Sequence, residues 1–147
     1  MSVQKRFGLH QVLSYRIELE RLRKLDFAVA KRNLDEAYDC LDREKRRAEQ
    51  LACEFSAMQG QLNSVADLQM YTDFFARKRN ELKEQQVLIE ELDRLLELQR
   101  QELQLATTEK KVMEQLKEKQ EAAFRKELAH KEALLLDEIS VQKKGQE

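Results

Sequence analysis

The stretch "AMQGQLNSVADLQ" occupies Ala57–Gln69, and its reading decides what the rest of the chain can be. Gly60 is the only glycine between Gly8 and Gly145, in a chain without proline. An interior glycine costs a helix about 1 kcal/mol relative to alanine, and glycine is the favoured residue just past a helix end. Four residues later, Ser64–Asp67 reads as a helix start. The Ser64 hydroxyl can accept from a backbone N–H of the first turn, and the Asp67 carboxylate suits the positive end of the helix. Stop and start signals this close predict a short turn between two helices. The competing reading is one unbroken helix running across Gly60.

On either side of the turn the apolar residues repeat in sevens. Before it, Phe27, Leu34, Leu41, Ala48, Phe55 and Leu62 form one row, and Ala30, Ala37, Glu44, Leu51, Met58 and Val65 a second row three residues on. This is the a/d stripe of a coiled coil, interrupted once by Glu44. Nearer the N-terminus, Phe7, Leu9, Val12, Leu13, Ile17 and Leu22 fit a shifted phase, which predicts a skip in the repeat near Leu22–Phe27. After the turn, Leu68, Phe75, Leu82, Ile89, Leu96 and Leu103 repeat in the same way. The row behind them (Tyr71, Lys78, Gln85, Leu92, Gln99, Ala106, Met113) is more polar. Beyond Met113 the register is expected to drift through Leu116, Phe124 and Leu128.

Composition agrees with this pattern. Charged residues make up 37% of the 147 residues and hydrophobic residues 41%, with no tryptophan. An ordinary domain carries about 25% charge. High charge with Leu and Ala and without helix breakers marks long helices, not a compact globule. The 27 basic and 28 acidic residues nearly cancel, which argues against a nucleic-acid binder. The densest basic run, Arg43–Arg47, reads as a solvated helix face. Cys40 and Cys53 lie on one predicted helix, roughly 20 Å apart, too far to bridge each other. Reduced thiols and the lack of any long apolar run predict a cytoplasmic protein.

The fold class expected is therefore all-α: a long antiparallel two-stranded coiled-coil hairpin with one turn near residues 59–66. As one domain over 1–147, its first helix spans about 5–59, its turn about 60–64 and its second helix about 65–141. An apolar stripe must be covered, and in a hairpin the arms cover each other. With the turn centred near Asn63–Val65, residue n faces roughly residue 124–130 minus n. Leu41 then lies near Leu82 and Ile89. On this count the second arm outruns the first, and the cluster "KEALLLDEIS" (Lys131–Ser140) overhangs it.

No phosphate-binding glycine loop, Gly-x-Ser-x-Gly elbow, Cys–His arrangement or metal-ligand spacing occurs. His10 and His130 read as surface histidines. The expectation is a non-enzyme without cofactor or metal, acting through its surfaces. One surface flanks the turn: Leu51, Phe55, Tyr71 and Phe74, with Phe75 in the seam. Phe74 points off the seam, either as a binding anchor or packed across the turn. The other lies at the chain ends, where Phe7, Leu9, Val12 and Leu13 are expected to meet Leu135, Leu136, Asp137, Glu138 and Ile139.

"RFGLHQVLSYRIELERLRKLDFAVAKRNLDEA" (Arg6–Ala37) resembles the opening of the flagellar export protein FliJ family. The resemblance rests on Arg6, Phe7, Leu9, Val12, Leu13, Arg16 and Glu18. "LQMYTDFFARKRNEL" is similar to that family's post-turn segment through Tyr71 and Phe74, and the Leu136–Ile139 ending matches its close. The resemblance implies a soluble, non-catalytic component of the bacterial flagellar type III export apparatus, cytoplasmic and peripheral at the inner face of the membrane beneath the basal body. It implies a coiled coil like the central stalk of rotary ATP synthases. Implied partners are the hexameric export ATPase FliI, which would bind and hydrolyse ATP itself, the cytoplasmic domain of the export gate protein FlhA, and export chaperones. The protein by itself is expected to be a monomer. The terminal residues, Phe7, Leu9, Val12, Leu13 and Leu135–Ile139, would enter the ATPase ring. Leu51, Phe55, Tyr71 and Phe74 would meet the gate. Lys78 and Glu81, one and two turns past Phe74, depart from this expectation by narrowing the gate patch. The competing function is a generic coiled-coil tether or dimerising spacer. A prefoldin-type chaperone would need strands that "QGQLNSVADL" is too short and polar to supply.

Overall fold

The computed structural model describes residues 8–58, 60 and 64–145. Two long helices account for nearly all of them: α1 (His10–Met58) and α2 (Val65–Gly145). The turn falls where the sequence places it, and the unbroken helix is excluded. Among the described residues no glycine has a positive φ, so Gly60 sits in the turn without the left-handed conformation that usually selects glycine at a helix end. The N-terminal signal of α2 forms as expected. The Ser64 hydroxyl accepts from the Asp67 backbone N–H at 3.3 Å. Asp67 occupies the first turn of α2, and Lys143 and Lys144 the last, complementing the helix dipole at both ends. Gly8 and Leu9 form a turn before α1, so that helix starts later than about residue 5; Lys5–Phe7 lie outside the described residues.

The chain divides into two compact units. In the turn unit (Arg23–Leu103), Arg23 pairs with Glu102 at 3.1 Å, the Gln85 amide donates to Cys40 Sγ at 3.7 Å, Glu44 pairs with Lys78, and Phe55 stacks on Tyr71. As the α1 number rises, the α2 number falls, so the helices run antiparallel. Each pair falls at or within about two residues of the register that the turn position predicts. Leu34, Leu41 and Ile89 form the core, with Ala37, Leu82, Leu92 and Leu96 packed against it. Two helices can cover only one stripe on each other. Accordingly, no described side chain is completely buried, and stability must come from the number of modest layers rather than from a deep core.

In the terminal unit (Met1–Leu22 with Gln104–Glu147), the seam is built differently. Arg16 pairs with Glu109, and Glu20 with Lys110 at 3.0 Å. Glu20 is 5% exposed, as buried as Leu13 and close to Ala106. This overturns the expected skip. On α1 the residues turned inward continue in one phase from Phe27 back through Arg23, Glu20, Arg16 and Leu13. The apolar Ile17 and Leu22, which suggested a shifted phase, are exposed. The heptad does not slip; it changes from apolar to charged. On α2 the side facing α1 likewise keeps its phase past Met113 to Lys117, and Leu116 is exposed.

Candidate interaction site

The aromatic group beside the turn belongs wholly to the turn unit. Phe55 lies 4.9 Å from Tyr71 and 5.9 Å from Phe75 between ring centroids. Phe74 meets Phe75 edge-on at 5.7 Å. Such tilted and edge contacts suit the ring quadrupoles. All four rings are half-buried, as is Leu51. Phe74 thus touches Phe75, its neighbour on α2, and is half-exposed. The heptad that runs formally through the turn is not packed there: Met58, Val65 and Leu68 are exposed, with Met70 beside them. Sequence periodicity assigned the first three to the seam and missed that the seam ends at Phe55 and Tyr71. With the aromatic rings, they make an apolar surface on the helix ends that flank the turn.

Lys78 does not spoil this patch. Its ammonium is turned into the seam, where it donates to the Glu44 carboxylate, and it lies 3.5 Å from Glu81. The hydrogen bond from Lys78 holds the Glu44 carboxyl below the usual carboxylate range, and the same bond raises Lys78. Glu81 remains exposed.

The second surface lies in the terminal unit, where the structure separates what the sequence reading joined. With Arg16 at Glu109 and Glu20 at Lys110, Leu13 lies near the level of residues 112–117. Leu135 is about 20 residues further along α2, roughly 30 Å away. Leu9, Val12 and Leu13 therefore do not meet the leucine cluster. Leu13 is buried in the seam, whereas Leu9 and Val12 are exposed; Phe7 lies outside the described residues. Past Leu128 every described residue of α2 is exposed. Leu135 is 58% and Leu136 67% exposed, and Ile139 is exposed beside Asp137 and Glu138. These residues stay helical to Gly145 while exposed.

The described residues define an all-α protein built as a helical hairpin. Compared with known families, residues 5–146 match the flagellar FliJ protein family. The chain belongs to that family, a set of non-catalytic components of the flagellar export apparatus. No curated protein and no solved structure matches it.

Proposed function

We propose that the protein is a stalk-like adaptor of flagellar export. In this reading the free end of α2 engages the hexameric export ATPase FliI and promotes its activity, the turn end contacts the cytoplasmic domain of FlhA, and the hairpin between them assists export chaperones to cycle. The observation that carries this reading is the overhang: α2 continues to Gly145, far past the level reached by the start of α1. Leu135, Leu136 and Ile139 are left as an apolar grip flanked by Asp137 and Glu138. Leu9 and Val12 form a separate, smaller contact, and Leu13 supports them from the seam. At the turn, Phe74 is the anchor and Phe55, Tyr71 and Leu51 its packed support. No described helix is long and apolar enough to cross a membrane, and the proposed place of work is the cytoplasmic face of the membrane beneath the basal body.

The test is co-purification with the flagellar ATPase together with its hydrolysis rate. Leu135→Asp with Leu136→Asp should leave helicity unchanged and abolish stimulation. Loss of helicity would mean that the cluster is structural; retained stimulation would remove it from the ATPase contact and favour a passive tether. Phe74→Ala should weaken gate binding and spare the ATPase contact. Equal loss of both would end the assignment of two separate surfaces.

A further inference from the structure

The seam of the turn unit uses one side of α2, and a second row with the same spacing runs beside it. Glu84, Leu88, Glu91, Leu95, Leu98 and Glu102 follow one another at intervals of three and four residues. That is the spacing of a coiled-coil seam, displaced a little over a quarter of a turn from the row that faces α1. Leu88, Leu95 and Leu98 are all exposed. The other flank of α2 (Lys83, Gln86, Glu90, Asp93, Glu97, Arg100) holds no apolar residue. On α1, Asp26, Val29, Asn33, Glu36 and Cys40 keep the same intervals, and Val29 is exposed. Contacts at both ends tie the two rows to one side of the hairpin. Arg23 lies 3.7 Å from Asp26 and 3.1 Å from Glu102. Cys40 Sγ accepts from the Gln85 amide at 3.7 Å, and Gln85 lines an open cavity of about 350 Å³ with Glu81, Glu84 and Leu88.

Charge identifies what would cover this flank. The two rows and the cavity carry Asp26, Glu36, Glu81, Glu84, Glu91 and Glu102, and no cation. Cations of the seam reach three of the six: Arg23 meets Asp26 and Glu102, and Lys78 lies 3.5 Å from Glu81. Among the described residues, Glu36, Glu84 and Glu91 form no ion pair. We infer that this flank of the turn unit is a docking site for a basic amphipathic helix of another protein, laid along α2 as the third strand of the coiled coil. The apolar stripe of that helix packs on Leu88, Leu95, Leu98 and Val29. Lysines or arginines bordering the stripe meet Glu84 and Glu91 on one side and Glu36 on the other. One such cation enters the cavity. There the Gln85 Nε2 is already engaged by Cys40, while its Oε1 is buried without a hydrogen-bond partner among the described residues and needs a donor. From Glu81 to Glu102 the row spans three heptads, about 32 Å, the length of one ordinary partner helix. A second copy presenting the same flank, an anionic membrane surface and a nucleic acid would each set negative charge against this acidic border.

Neither proposed contact of the adaptor uses this flank, and the test needs no ATPase. The probe is a labelled three-heptad peptide with leucine on one face bordered by lysine, set against a counterpart bordered by glutamate. Fluorescence anisotropy with the full chain reads their binding. The lysine peptide should bind at least roughly tenfold more tightly than the glutamate peptide, and added salt should narrow the gap. Glu84→Lys with Glu91→Lys should reverse the preference. Leu88→Asp with Leu95→Asp should abolish binding while circular dichroism shows helicity kept. Equal binding of both peptides overturns the inference, as does a preference that the charge reversal leaves unchanged. Binding that is lost in Leu135→Asp with Leu136→Asp, but kept in Leu88→Asp with Leu95→Asp, places the peptide at the free end of α2 and overturns it too. So does a mass above 17.5 kDa in light scattering that Leu88→Asp with Leu95→Asp returns to that value, because the flank then belongs to a second copy. Stimulation of the ATPase is untouched by any of these outcomes, so failure here leaves the adaptor role standing.

Discussion

Glu44 is the residue at which the apolar repeat breaks, and its partner explains the break. A carboxylate in a seam position would be costly alone, but Lys78 reaches it from the opposite helix. Glu44→Leu should therefore lower the melting temperature by leaving Lys78 half-buried without its partner across the seam, with only Glu81 of its own helix beside it. Glu44→Leu with Lys78→Leu should raise it above that of the unaltered protein. The pH response follows from the depressed carboxyl. The pairing of Glu44 contributes its stability above the ordinary carboxylate value of about 4.3, and this is lost as the pH falls through the lower folded-state value. Glu44→Gln should flatten that acid-side loss in melting curves taken from neutral to acid pH. The sequence marked Glu44 as an interruption but could not supply its partner, because Lys78 reads equally well as a surface lysine until the register is known.

At the scale of the element, the helix boundaries beside the turn were more legible than the outer ones, since α1 starts at His10 and not near residue 5. Ser64 and Asp67 announce the start of α2 at Val65, because a cap is a local arrangement of neighbouring residues. Ser64→Ala should cost about 0.5–1 kcal/mol in denaturant unfolding, the low end of the usual range because the cap is exposed. An unchanged midpoint would mean that the 3.3 Å contact contributes nothing. The other end of α2 was placed near residue 141, and the helix continues to Gly145. Its last turn carries Lys143 and Lys144, whose favourable place at a negative helix end extends a helix that apolar periodicity no longer marks. The charged seam of α1 was hidden for a related reason. Periodicity was judged on apolar residues, and Arg16, Glu20 and Arg23 look like solvent-facing side chains. Only Arg16–Glu109, Glu20–Lys110 and Arg23–Glu102 reveal that they face inward.

Across the whole molecule, the hairpin and its register could be read because a single turn fixes every facing pair at once. The separation of Leu9 and Val12 from the leucine cluster followed from the same count and was obscured by treating both chain ends as one place. The two units differ in what fills their seams, and their local stabilities should differ accordingly. Hydrogen exchange should show stronger amide protection around Leu34, Leu41 and Ile89 than around Arg16, Glu20 and Lys110, since charged layers contribute less than apolar ones. Added salt should widen the difference by screening the ion pairs. Uniform protection would show that the charged layers hold as firmly as the core.

The Glu44–Lys78 layer has a mechanical consequence. Coiled coils yield to axial shear by sliding one helix past the other in steps of a heptad, since apolar layers are nearly interchangeable. Here a one-step slide in either direction sets Lys78 against Leu51 or Ala37 in place of Glu44. A cation would then be pressed against an apolar neighbour with its seam countercharge, Glu44, carried away and only Glu81 of its own helix left beside it. Within an otherwise permissive zipper, this layer acts as a detent. A thrust or twist applied at one end of the turn unit would be transmitted along its length instead of dissipating as slippage between its strands.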